Sequence, residues 1–152
     1  MAKKGVESCF IDTNILIYAS DRSSPWHEKA KVVLEKATVD GVALFISPQV
    51  LREYLSVATR SVIHKGTIPW EKINKNHLRF QRVFKVLPED TATANKLGEL
   101  VHKFRVSGKH VHDANIVATM LIHDIQFILT HNVDDFKRYE ALVKIIPLTG
   151  TL

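Results

Sequence analysis

Five short apolar runs, separated by longer stretches with helical character, limit what this chain can fold into more than any other feature. The runs are Ser8-Cys9-Phe10-Ile11, Val42 to Ile46, Lys85-Val86-Leu87, Ile125 to Leu129 and Val143 to Leu148. Each is too short for a stable helix and is closed by polar or turn-forming residues, so each reads as a strand. Ser24-Pro25 opens a helix that carries Ala30, Val33, Leu34 and Ala37 on one face. The Ser-Pro pair suits a helix start, because Ser accepts from unpaired N–H groups and Pro fits the first turn. Ser47-Pro48 repeats that signal for a helix to about Ile63, which Gly66 and Thr67 break. Pro69 opens a third helix to about Val83. A long helix ends near Ser107-Gly108, a strongly apolar one spans His112 to His123, and Asp134 to Tyr139 is a helical turn. Apolar strands alternating with helices belong in a parallel sheet covered on both faces. The expected architecture is a three-layer α/β/α sandwich with a central, mostly parallel sheet.

At 152 residues, with no Pro/Gly-rich linker, the expectation is one domain over 1–152. Apolar residues make up 45% and charged residues 24%, too apolar for a disordered chain. A single cysteine, Cys9, rules out an internal disulfide framework and a four-cysteine zinc site. Glu7 and Asp12 interrupt the N-terminal apolar stretch, and no run approaches the roughly 20 residues needed to span a bilayer. The expectation is a cytoplasmic protein with no membrane contact.

In a parallel sheet, ligands bind beyond the carboxyl ends of the strands, so acids placed there come first. Asp12 directly follows the first strand. It can cap the helix behind it, although Thr13 and Asn14 could take that task and leave it free. Glu53 lies in the helix after the second strand. At 3.6 residues per turn, Val50, Leu51, Tyr54, Leu55, Val57 and Ala58 fill one buried arc and Glu53 stands at its rim. Asp113 begins the apolar helix from His112 and is the sole acid between Phe104 and Ile122. Asp134 and Asp135 follow the fourth apolar run; being adjacent, they point apart. Parallel topology brings all of these to one sheet edge. Carboxylates gathered there repel unless a cation sits among them, and oxygen ligands suit Mg²⁺ or Mn²⁺. Such a site serves phosphodiester hydrolysis.

Four stretches resemble the PIN-domain ribonucleases, and among them the VapC-like toxins of prokaryotic toxin–antitoxin pairs. They are Phe10-Ile11-Asp12-Thr13-Asn14 with the residues to Ala19, Ser47-Pro48-Gln49-Val50-Leu51-Arg52-Glu53, His112-Asp113-Ala114-Asn115-Ile116-Val117-Ala118, and Leu129-Thr130-His131-Asn132-Val133-Asp134-Asp135-Phe136. They occur in the family's order and span almost the whole chain. The resemblance implies a metal-dependent endoribonuclease that leaves a 5′-phosphate, with Asp12, Glu53 and Asp113 as catalytic, metal-holding acids. Family members carry a fourth acid at the position of Asn132 or of Asp135. Asn132 is neutral, so Asp135 takes that role, with Asp134 in reserve. Thr13 and Thr130 match hydroxyls near the metal, and Asn14 braces the loop. The resemblance also implies a homodimer and a small antitoxin that plugs the acidic groove.

The basicity of the chain is local. Net charge is +5 overall, yet residues 60–85 hold Arg60, Lys65, Lys72, Lys75, Arg79, Arg82 and Lys85 against Glu71 alone. Apart from Lys85, these cations are expected to hold the RNA backbone. Trp70 and Phe80, interleaved among them, read as core or dimer contacts. His110-x-His112 lacks a third nitrogen or sulfur ligand at zinc spacing. His112 and His131 border the cleft and are expected to meet RNA. Cys9, inside a strand, reads as core. The rival readings are a PIN-like module that binds RNA or protein without cutting, and a phospho-accepting receiver domain. The full acid set argues against the first. The lack of a paired acid before Asp12 argues against the second.

Overall fold

The computed structural model describes residues 5–64, 68–150 and 152. The elements run β1 (Ser8–Ile11), α1 (Thr13–Ser20), α2 (His27–Val39), β2 (Ala43–Ile46), α3 (Pro48–His64), α4 (Trp70–Val83), β3 (Lys85–Val86), α5 (Thr91–Phe104), α6 (His110–Ile122), β4 (Phe127–Thr130), α7 (Val133–Phe136) and β5 (Lys144–Pro147). A 3₁₀ turn over Lys137–Tyr139 joins α7 to the last strand. All strand pairs are parallel, in the order β3-β2-β1-β4-β5.

Cys9, Phe10 and Ile11 are successive residues of the central strand, and each is fully buried. Neighbouring strand residues point to opposite faces, so helices cover both sides of the sheet. Helices α1 to α4 pack as one group and α5 with α6 as another. The sheet is the middle layer of the expected α/β/α sandwich. The chain runs outward from β1 to β2 and β3, then returns to place β4 on the other side of β1. That reversal sets the topological switch point between β1 and β4, where open α/β sheets bind ligands.

Several boundaries differ from the sequence reading, each for a local reason. Ser24 does not cap α2: its Oγ accepts from Trp26 N at 3.1 Å in a turn, and the helix starts at His27. Ser47 does not cap α3 either. Its buried hydroxyl has no partner among the described residues, and Gln49 N donates at 2.9 Å to Oε1 of Glu89. Val57, placed in the buried arc of α3, is 41% exposed. Arg105 takes a left-handed conformation and stops α5 at Phe104. Asp124, with positive φ, turns the chain so that β4 starts at Phe127 rather than Ile125. The break placed at Gly66 and Thr67 lies outside the described residues. Among the described residues, no helix is long and apolar enough to cross a membrane.

Candidate active site

Asp12 stands one residue beyond β1 and is almost fully buried. The capping and site readings meet in this one side chain. It caps α1, accepting from Thr13 N at 2.8 Å through Oδ1, contrary to the expectation that Thr13 and Asn14 would free it. Its Oδ2 accepts from Thr130 Oγ1 at 2.8 Å and from Asn14 Nδ2 at 3.2 Å. Thr130 is the last residue of β4, so the Asp12–Thr130 bond spans the switch point. Asn14 also donates to Thr130 Oγ1 at 3.2 Å, and its Oδ1 accepts from His131 N at 3.2 Å, tying α1 to the chain after β4. Asn132 N donates to Thr130 Oγ1 at 3.0 Å, while the Asn132 side chain makes no cap for α7 and is exposed. Burial pushes Asp12 up to about 6, and the charges of Glu53 and Asp135 add to the rise. Hydrogen bonds from Thr130 and from the Thr13 backbone oppose it.

Glu53 is half-buried one turn into α3, at the rim of the apolar arc. Its Oε2 accepts from Thr13 Oγ1 at 2.9 Å, and its Oε1 from Gln49 Nε2 at 2.7 Å. Gln49, only 1% exposed, is the hub that sequence reasoning missed. Its Nε2 also donates to the His112 carbonyl at 2.8 Å, and its Oε1 accepts from Asn115 Nδ2 at 2.6 Å. An uncharged amide on the buried face of an amphipathic helix, four residues before Glu53, was the available signal.

Helix α6 starts at His110, so Asp113 lies within its first turn rather than at its beginning. Burial pushes Asp113 up to about 7, and the charges of Asp135, Asp12 and Glu53 add to this, while Arg138 opposes it. Asp135 thus acts on both Asp12 and Asp113. Asp134 is exposed. One ligand atom each from His110, Asp113 and Asp135 lie within 4.8 Å of one another. His110 reaches that cluster because residues three apart on a helix share a face. A spacing search for a third zinc ligand could not show it. Tyr139 has a buried hydroxyl with no partner among the described residues; burial pushes its pKa up, Arg138 opposes the rise and the charge of Asp113 adds to it.

Other expectations fare unevenly. His112 is exposed, whereas the His131 ring packs at a tilt against Trp26, 4.4 Å between centroids, and edge-on to Tyr18 at 5.6 Å. Phe80 is core, against Tyr54 at 4.9 Å, and Trp70 is 55% exposed. Lys72 and Arg79 line a groove of about 580 Å³ together with Arg22 and Lys31, which the charge count over 60–85 did not include. The groove meets Ser20 at the far end of α1, about 10 Å of helix from Thr13. Arg60, Lys75 and Arg82 are exposed, and Lys65 lies outside the described residues.

Buried and half-buried carboxylates that raise one another, with Arg138 opposing the rise at Asp113, form an oxygen-rich nest that suits a divalent cation. A parallel α/β/α sandwich with such a nest at its switch point defines a class of acid-cluster α/β proteins. Residues 9–142 match the family model described as PIN domain, and the chain belongs to that family. It is 27% identical over 143 residues to Ribonuclease VapC48 of Mycobacterium tuberculosis, covering 91% of this chain and 97% of that protein. The fold is similar to that of FitAcB from Neisseria gonorrhoeae, with TM-score 0.67 and 17% identity, covering 92% and 97% of the two chains. It is also similar to VapBC2 from Rickettsia felis, solved with a promoter DNA fragment, with TM-score 0.66, 19% identity and coverage of 92% and 98%. A third likeness is VapC20 of Mycobacterium tuberculosis, described as a sarcin-ricin loop cleaving toxin. Its TM-score is 0.64 and its identity 16%, with coverage of 85% and 93%.

Proposed function

We propose that this chain is a divalent-metal-dependent endoribonuclease and the toxin of a toxin–antitoxin pair. The observation that carries the reading is the electrostatic proximity of Asp12, Glu53, Asp113 and Asp135 near one switch point, where burial first, and mutual charge with it, raise Asp12 and Asp113. These four acids would hold Mg²⁺ or Mn²⁺. A bound cation supplies a lowered pKa for water and neutralises charge on the phosphorus and the leaving oxygen. The chain's own part is positioning. Thr130 and the Thr13 backbone favour the ionised form of Asp12, and Thr13 and Gln49 fix both oxygens of Glu53. Asn14 locks the α1 start to the β4 end, and Asn132 N completes the shell of Thr130. Asp134 stays in reserve on the solvent side. Lys72 and Arg79, with Arg60, Lys65, Lys75 and Arg82, supply charge for an RNA strand.

A homodimer and a small antitoxin complete the proposal. In support, the related structures include a toxin–antitoxin complex from Klebsiella pneumoniae and VapBC-1 from Haemophilus influenzae. We place its action in the cytoplasm, as one domain over 1–152. The test is incubation of purified protein with mixed RNA in Mn²⁺ or EDTA, beside Asp12→Asn. Cleavage by wild type in Mn²⁺ alone, with the variant at least about 100-fold slower, supports the reading. Equal cleavage by the two proteins refutes it. RNA binding without any cleavage favours the non-catalytic PIN-like module.

A further inference from the structure

The acid nest carries one group that an all-oxygen site has no need of. His110 opens α6 and stands one turn before Asp113. Its Nδ1 lies 3.9 Å from Asp113 Oδ2, and the His110–Asp113–Asp135 ligand atoms fall within 4.8 Å of one another. Two ligands at about 2.1 Å from one ion are about 3.0 Å apart when adjacent and about 4.2 Å when opposite. The observed spacing is therefore close to what a single ion requires. The His110 and Asp113 side chains are 41% and 27% exposed, which leaves room for the small rotation that closes the gap.

We propose that His110 is a nitrogen ligand in the acidic site and makes that site prefer Mn²⁺ to Mg²⁺. The inference rests on the metal-dependent reading above and deepens it. Imidazole is a softer donor than carboxylate. It favours first-row transition ions, whereas Mg²⁺ takes oxygen and sheds its water reluctantly. Carboxylates alone discriminate little between the two ions. A nitrogen ligand beside them tilts the choice. A purely ionic role for His110 against Asp113 makes a different forecast: its loss would change the affinity for both ions alike.

The test uses the full-length, metal-free protein, Mn²⁺ as the probe and Mg²⁺ as competitor. Mn²⁺ binding is followed by its electron paramagnetic resonance signal, and ¹⁴N coupling by pulsed measurement. Wild type and the exposed-neighbour control His112→Ala should show directly bound ¹⁴N; His110→Gln should not. In His110→Gln the Mn²⁺ dissociation constant should rise about 10-fold and that for Mg²⁺ less than about 2-fold. Circular dichroism should show all variants folded, since His110 is a partly exposed side chain. If wild type binds no Mn²⁺, the acidic-site reading fails and this inference with it. If Mn²⁺ binds and Asp113→Asn abolishes it, the acidic site stands. In that case, absence of nitrogen coupling, or equal loss of Mn²⁺ and Mg²⁺ in His110→Gln, overturns the role of His110 alone.

Discussion

Asn115 donates through Nδ2 to Oε1 of Gln49 at 2.6 Å, and this bond joins the helix that carries Asp113 to the helix that carries Glu53. Gln49 then passes its own N–H bonds to Glu53 and to the His112 carbonyl. One buried amide therefore sets the spacing between two of the acids. Gln49→Leu keeps most of the volume and removes these hydrogen bonds. Buried partners left unsatisfied cost about 1–3 kcal/mol, so the melting temperature should fall by roughly 3–10 °C. Single-turnover RNA cleavage should fall as well, because Glu53 loses one of its two anchors. An unchanged melting temperature would show that water replaces the amide at no cost.

The raised carboxyls make the metal-free protein pH-sensitive in a definite direction. Asp12 and Asp113 are pushed up to about 6 and about 7, above the ordinary value of 3.8. The folded state therefore holds protons that the unfolded chain releases. Their contribution to stability is fully present below about pH 4 and is lost as pH rises through 6 and 7. For the buried Asp12 the loss corresponds to roughly 3 kcal/mol. Thermal unfolding in EDTA should show a melting temperature that falls between pH 5 and pH 8, and falls less in Asp113→Asn. Added Mn²⁺ should restore it far more at pH 8 than at pH 5. A stabilisation by Mn²⁺ that is independent of pH would contradict this.

The two adjacent acids after β4 should behave differently. Asp135 acts electrostatically on both Asp12 and Asp113, whereas Asp134 is exposed to solvent. Asp135→Asn should weaken Mn²⁺ binding about 10-fold or more, and Asp134→Asn should change it less than about 2-fold. Calorimetric titration of each variant reads this directly. The reverse ranking would move the fourth acid to Asp134.

The cationic groove has its own signature. Each phosphate contact on a single strand contributes about 0.7 to the slope of log affinity against log salt. Lys72→Ala with Arg79→Ala should therefore lower that slope by about 1.4 while leaving Mn²⁺ affinity unchanged. A slope equal to wild type would mean that RNA avoids the groove lined by Arg22, Lys31, Lys72 and Arg79.

Much of the fold could be read from the chain, for a physical reason. Cys9, Phe10 and Ile11 are all fully buried, and a strand covered on both faces must be apolar at every position. Helix starts were harder. At α3 the cap comes from Glu89, forty residues away, and local sequence cannot encode a partner that arrives by tertiary folding. The acids at the sheet edge followed from topology, because Asp12 comes directly after β1 and the Asp134-Asp135 pair lies in the short helix that follows β4. Gln49 and His110 did not, since their roles depend on which helix faces which. The same limit hid Arg22 and Lys31 from a charge count confined to one segment.

The central claim is that Asp12, Glu53, Asp113 and Asp135 act together on a divalent cation. Its most direct test is an anomalous difference map from crystals of this protein grown in Mn²⁺. A strong peak is expected within about 2.5 Å of carboxylate oxygens from Asp12 and Asp113, with Asp135 or Glu53 completing the shell. No peak there at saturating Mn²⁺, or a peak only at other surface acids, would contradict it.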